Sequence, residues 1–95
     1  KYTVAERFNQ GCRVLVVEDS PVNQKVTRRM LDKLGLRCDV AGTGTSAVAA
    51  FKLNPYDLIL MDCNLPDMTG FEVTARIRAH EGEVTRTPII AMTAD

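Results

Sequence analysis

The chain has 95 residues, which suits one small domain with a modest core. A hydrophobic fraction of 45%, a charged fraction of 25% and zero formal net charge exclude any general electrostatic pull toward nucleic acid or anionic membrane. Cys12, Cys38 and Cys63 show no Cys-x-x-Cys spacing, and no apolar run approaches the ~20 residues of a bilayer span, so a zinc site, a disulfide framework and a membrane-crossing helix are not indicated.

The first twelve residues, "KYTVAERFNQGC", show no sustained period and read as a linker from a preceding domain. The first residue is Lys1 rather than Met, and a piece of a longer protein is expected. The domain proper is expected over residues 13–95. Its first strand is the continuous apolar run Val14 to Val17, the pattern of a parallel strand covered on both faces. Ser20 then offers a helix cap and Pro21 suits the first helical position. Val22, Val26, Met30, Leu31 and Leu34 form one apolar stripe, expected to face the core, with Lys25, Arg28, Arg29 and Lys33 on the wet side. Gly35 stops this helix.

Arg37 to Ala41 alternates and reads as a second strand. A helix is predicted over 45–53, burying Ala47, Val48 and Phe51, and Asn54-Pro55 ends it. Leu58 to Met61 is a third strand running straight into Asp62. A third helix follows Gly70, with Val73, Thr74 and Ile77 inward, and gives way to the loop "HEGEVTRTP". Ile89 to Met92 is the fourth strand. Strands alternating with helices imply a parallel sheet sandwiched by helices, because right-handed crossovers place the connections on its faces.

Such sheets carry their chemistry at the carboxyl ends of the strands. Glu18 and Asp19 follow the first strand, Asp62 ends the third and Thr93 follows the fourth. In the strand order 2-1-3-4-5 the first and third strands are neighbours, and three carboxylates then converge with a hydroxyl opposite. Like charges so placed raise at least one pKa and call for a cation; a small set of hard oxygen donors suits Mg²⁺. A carboxylate beside Mg²⁺ can attack phosphorus and form an acyl phosphate. The local alternative for Asp62 alone is a strand-ending turn residue that bonds the backbone two positions on.

The segments "VLVVEDSPVNQKV", "DLILMDCNLPDMTGFEV" and "TPIIAMTAD" resemble the response-regulator receiver domain, above all the receivers of hybrid sensor histidine kinases. The resemblance implies a flavodoxin-like, doubly wound parallel α/β sheet, of order 2-1-3-4 in this chain. It also implies a phosphorelay role, accepting a phosphoryl group from a kinase phosphohistidine. Asp62 becomes the phosphoacceptor, Asp19 the principal Mg²⁺ ligand, Glu18 its mostly water-mediated helper and the Asn64 backbone carbonyl a further ligand. Thr93 becomes the switch hydroxyl, Ala94 the small neighbour that leaves it room, and Pro66 and Gly70 shape the acceptor loop. Activity is limited to the domain's own phosphorylation and dephosphorylation. The implied partners are a histidine kinase domain or a histidine phosphotransfer protein, with no direct contact to nucleic acid or membrane. A cytoplasmic setting is expected, in a parent protein that is itself open to membrane anchoring.

The chain departs from the family at its end. A full receiver runs to ~120 residues, within the ordinary single-domain range, and its fifth strand carries a Lys that pairs with the phosphoryl oxygens. Lys25, Lys33 and Lys52 fall on helices and do not replace it. Truncation before the fifth strand is expected, and the exposed edge of the fourth would then be hidden by pairing with another chain, as in a dimer, by docking on a partner or by aggregation. The rival reading is a receiver-like interaction module that works without phosphorylation. A haloacid-dehalogenase-like phosphatase would need a second Asp where Asn64 stands. His80 reads as a solvated surface residue and Cys63 as a loop residue.

Overall fold

The computed structural model describes residues 12–82 and 86–92. The elements run β1 (Arg13–Val17), α1 (Pro21–Lys33), β2 (Arg37–Ala41), α2 (Gly44–Leu53), β3 (Leu58–Asp62), α3 (Gly70–Glu81) and β4 (Ile89–Met92). All strand pairs are parallel and the sheet order is β2-β1-β3-β4, as the sequence implied. This is the flavodoxin-like doubly wound arrangement.

Central β1 explains its own composition. Val14 to Val17 are all inaccessible, because helices cover both faces of this strand. Leu15 and Val17 join Ala47, Ile59, Met61, Val73 and Ile77 in the core under α2 and α3. Val14 and Val16 join Cys12, Leu31 and Leu36 on the α1 side. Cys12, read as the last linker residue, is thus buried in that smaller cluster.

Local signals set the helix ends. The Ser20 hydroxyl accepts from the Asn23 N–H at 3.3 Å, with Pro21 opening α1. At the far end Leu36 N–H donates to the Leu31 carbonyl and Gly35 N–H to that of Asp32, both at 3.0 Å, with Gly35 at φ 75°. That is a Schellman closure; it needs a residue tolerant of positive φ and packs Leu36 beside Leu31.

The inward face of α1 differs from the expected one. Val22, Val26, Met30 and Leu34 are 69%, 53%, 59% and 70% exposed, and of the stripe only Leu31 is buried. The half-buried positions are Gln24 and Thr27, which with Leu31 form the line that faces the sheet. The Gln24 carboxamide donates to the Glu18 carbonyl at 2.6 Å, satisfying a backbone group at the end of β1 that an apolar side chain would leave unpaired. A stripe marks an apolar face; docking decides which face is buried.

Candidate functional site

The site is built by the register of two strands. Val17 of β1 lies opposite Met61 of β3, so Glu18 and Asp62 occupy the next rung at the carboxyl edge of the sheet. The Glu18 N–H still donates to the Ala41 carbonyl at 3.0 Å, extending the pairing toward β2 and turning Glu18 inward. Asp62 is the last residue of β3 and pairs with Met92 of β4. Glu18 is buried, Asp19 exposed and Asp62 half-buried.

Carboxylate oxygens of Glu18, Asp19 and Asp62 lie within 4.8 Å of one another. Among the described residues no Lys or Arg pairs with any of the three. Burial raises the Glu18 pKa above the ordinary glutamate value, and the charge of Asp62 together with side-chain hydrogen bonding to Asp62 and Asp19 adds to that rise. The Ser20 N–H, donating to Glu18 Oε2 at 3.1 Å, works the other way without reversing it. Three acids crowded in this way fit a dication: every donor is a hard oxygen, the exposed Asp19 leaves a side open to water, and a cation would relieve the repulsion that burdens Glu18.

Asp62 also fills the modest role open to it from sequence. Its Oδ1 accepts from the Asn64 N–H at 3.2 Å, closing a turn at the start of the acceptor loop. Asn64 bridges to Thr69 across that loop, and the Gly70 N–H donates to the Cys63 carbonyl at 3.1 Å. The loop therefore closes on its own backbone. Thr93 and Ala94 lie outside the described residues. Lys25 and Lys33 are exposed on α1, and Lys52 is exposed near the end of α2 remote from the acids. His80 is exposed on α3, its ring edge-on to Phe51 with centroids 6.0 Å apart. Gln24, which braces Glu18, was not singled out from the sequence; its only signal was a polar residue one helical turn ahead of Thr27 and two ahead of Leu31.

Residues 14–95 match the response regulator receiver domain as a family. The chain belongs to the response regulator receiver domain family. This receiver is 44% identical over 87 residues to hybrid signal transduction histidine kinase G of Dictyostelium discoideum, a match spanning 90% of the chain and 2% of that protein. Against the aerobic respiration control sensor protein ArcB of Escherichia coli it is 43% identical over 82 residues, spanning 86% of the chain and 10% of the sensor. Among solved structures it superposes with a TM-score of 0.81 on the receiver domain of a sensor histidine kinase from Pseudomonas aeruginosa. The identity there is 45%, and the match covers 90% of this chain and 69% of that one. That structure carries a magnesium ion coordinated in its active-site cleft. The receiver thus spans a small share of the curated relatives it matches, and its place is in two-component signalling.

Proposed function

We propose that this receiver accepts a phosphoryl group on Asp62 from a phosphohistidine, with Mg²⁺ held by Asp19, Asp62, the Asn64 backbone carbonyl and, through water, Glu18. The observation that carries this reading is the meeting of three carboxylates from the ends of two neighbouring strands, with no Lys or Arg paired to them among the described residues. In the transfer, an Asp62 carboxylate oxygen attacks phosphorus while the phosphorus–nitrogen bond of the donor breaks and its electron pair returns to the imidazole. The metal, when bound, supplies charge neutralisation at the phosphoryl oxygens.

The chain's own residues do the rest. The turn between Asp62 Oδ1 and the Asn64 N–H orients the acceptor carboxylate. Glu18, fixed by the Ser20 N–H through its side chain and by Gln24 through its carbonyl, adds negative potential that favours a dication without taking part in the transfer. Thr93 is the hydroxyl that bonds the new phosphoryl oxygens and reports the change to a partner. The donor is a histidine kinase domain or a histidine phosphotransfer protein; hybrid kinases among the relatives support the first.

Incubation of the protein with a small acyl-phosphate donor and Mg²⁺ tests the reading. Intact mass should show one added phosphoryl group, lost on omission of Mg²⁺ and in Asp62→Asn. A receiver that binds its kinase equally well with and without this modification would instead be the phosphorylation-independent module.

A further inference from the structure

The N-terminus of α2 holds three successive N–H groups that the helix itself cannot satisfy. Thr43 serves one: its hydroxyl accepts from the Ser46 N–H at 3.0 Å, in a capping box closed by Ser46 Oγ on the Thr43 N–H at 3.2 Å. The two before it are served from another part of the chain. Asp67, in the middle of the acceptor loop, takes the Gly44 N–H on Oδ1 at 2.8 Å and the Thr45 N–H on Oδ2 at 2.9 Å. The Thr45 hydroxyl adds a third bond to Oδ2 at 2.6 Å.

The hydroxyl of Thr45, then the amides of Gly44 and Thr45, depress the Asp67 pKa to about 2, so the clamp carries full charge at neutral pH. The next residue docks on the same spot. A Cβ added to Gly44 would lie 2.7 Å from Met68 Sδ and 2.9 Å from Val73 Cγ2, so Met68 fills the notch that the missing side chain leaves. A carboxylate and a thioether from adjacent positions of the acceptor loop therefore seat on one helix end.

That seating bears on the site because the loop is short. Residues 63–69 join Asp62 to α3 and contain Asn64, whose carbonyl the proposed function enlists. The loop's own closures, Asn64 to Thr69 and Cys63 to Gly70, lie at its base. The stretch Leu65 to Met68 is the part that needs a hold from outside, since unanchored loop residues keep backbone freedom that cation binding would have to remove.

We propose that Asp67 is a positioning residue of the acceptor site, fastening the loop to the N-terminus of α2 so that the Asn64 backbone is already placed when the dication arrives. The proposal rests on the phosphoacceptor reading and adds to it a residue that touches neither metal nor phosphoryl group. Because Asp67 acts by preorganisation, its loss raises the Mg²⁺ concentration for half-maximal labelling and leaves the labelling rate at saturating Mg²⁺ near that of the parent.

The test is Mg²⁺-dependent labelling of the protein by a small acyl-phosphate donor, measured for the parent, Asp67→Ala, Asp67→Asn and Ser46→Ala. Asp67→Ala should raise the half-saturating Mg²⁺ concentration ~3–10-fold, somewhat less than loss of a group bonded to a metal ligand itself. Asp67→Asn, which keeps an accepting oxygen, should fall between. Ser46→Ala weakens the same helix end without touching the acceptor loop, and should leave half-saturation unmoved. A half-saturation in Asp67→Ala within about twofold of the parent overturns the proposal, as does an equal shift in Ser46→Ala, which would reveal general loosening of α2. A parent that takes no label overturns the phosphoacceptor reading itself, and direct Mg²⁺ titration of Asp67→Ala then still reads the effect of the clamp on the cation.

Discussion

Glu18 and Asp62 occupy the same rung of the sheet, each one residue beyond the paired Val17 and Met61. Two acids of different strands are thereby fixed side by side by backbone hydrogen bonding, and Asp19 completes a set whose oxygens lie within 4.8 Å. The arrangement stores repulsion in the absence of a cation, and the raised pKa of Glu18, driven first by burial and then by its acidic neighbours, expresses it.

Removing that charge should stabilise the metal-free fold. Glu18 holds its proton more tightly folded than unfolded, so its contribution favours folding at low pH and is lost as pH rises through the raised value. At pH 7 without dication, Glu18→Gln should gain about 1 kcal/mol, several degrees in Tm for a domain of this size. Mg²⁺ should stabilise the parent more than the variant. Thermal unfolding with and without Mg²⁺ reads both, and a lower Tm for metal-free Glu18→Gln would contradict the repulsion.

The two neighbouring acids should differ as metal ligands. Asp19 is exposed and open to a direct bond, whereas Glu18 is buried and already engaged by the Ser20 N–H. Asp19→Ala should lower Mg²⁺ affinity by more than ~100-fold and Glu18→Ala by ~10-fold. Equal losses in a calorimetric titration would mean that the two roles are misassigned.

Thr93→Ala should separate acceptance from response. The variant should take up label at Asp62, because the acids that prepare the carboxylate are intact, but its partner affinity should change little on phosphorylation. A full response in the variant would assign the switch to another group.

Remote from the site, Glu81 latches the end of α3 to the approach of β4. Its side chain is 1% exposed, with Oε2 accepting from the Thr87 N–H and Oε1 from Arg78 Nη1, both at 2.6 Å. Burial opposes its charge, yet the Thr87 amide and the Arg78 guanidinium outweigh it and hold the pKa below the ordinary value. This stability is present above the unfolded glutamate value of 4.5 and should be lost as pH falls through the lower folded value. Glu81→Ala should cost about 2 kcal/mol at pH 7, since it strands a buried N–H as well as removing the pair. The difference should shrink in denaturant unfolding repeated below pH 4.

At the opposite edge of the sheet, the Tyr56 hydroxyl donates to Asp39 Oδ2 at 2.6 Å, beside Arg13. Burial, with the Asp39 acceptor, pushes the phenol up to about 12. The tyrosinate absorbance that disappears in Tyr56→Phe should therefore titrate near 12 in the folded protein. The associated stability is whole below pH ~10 and lost as pH rises through the folded value. A difference titration centred near 10 would show that the hydroxyl is not held in this way.

Much of this receiver is local, and what is local was legible. Apolar runs such as Val14 to Val17 mark covered parallel strands because burial on both faces removes the need for alternation. Ser20-Pro21 marks a helix start because the hydroxyl and the missing N–H suit that end. The acids at strand ends pointed to one pocket as soon as the parallel order placed β1 beside β3.

The tertiary structure decided what depends on how elements face one another. Periodicity gave α1 an apolar stripe but not its orientation; in the fold Gln24 turns inward to bond the Glu18 carbonyl, while Val22, Val26 and Met30 are exposed. Nothing near Asp67 in the chain announces that its bonding partners are Gly44 and Thr45, more than twenty residues earlier. Periods and caps are written in neighbouring residues, whereas a hydrogen bond between a loop and a distant helix end exists only once crossover geometry and strand register have brought the two together.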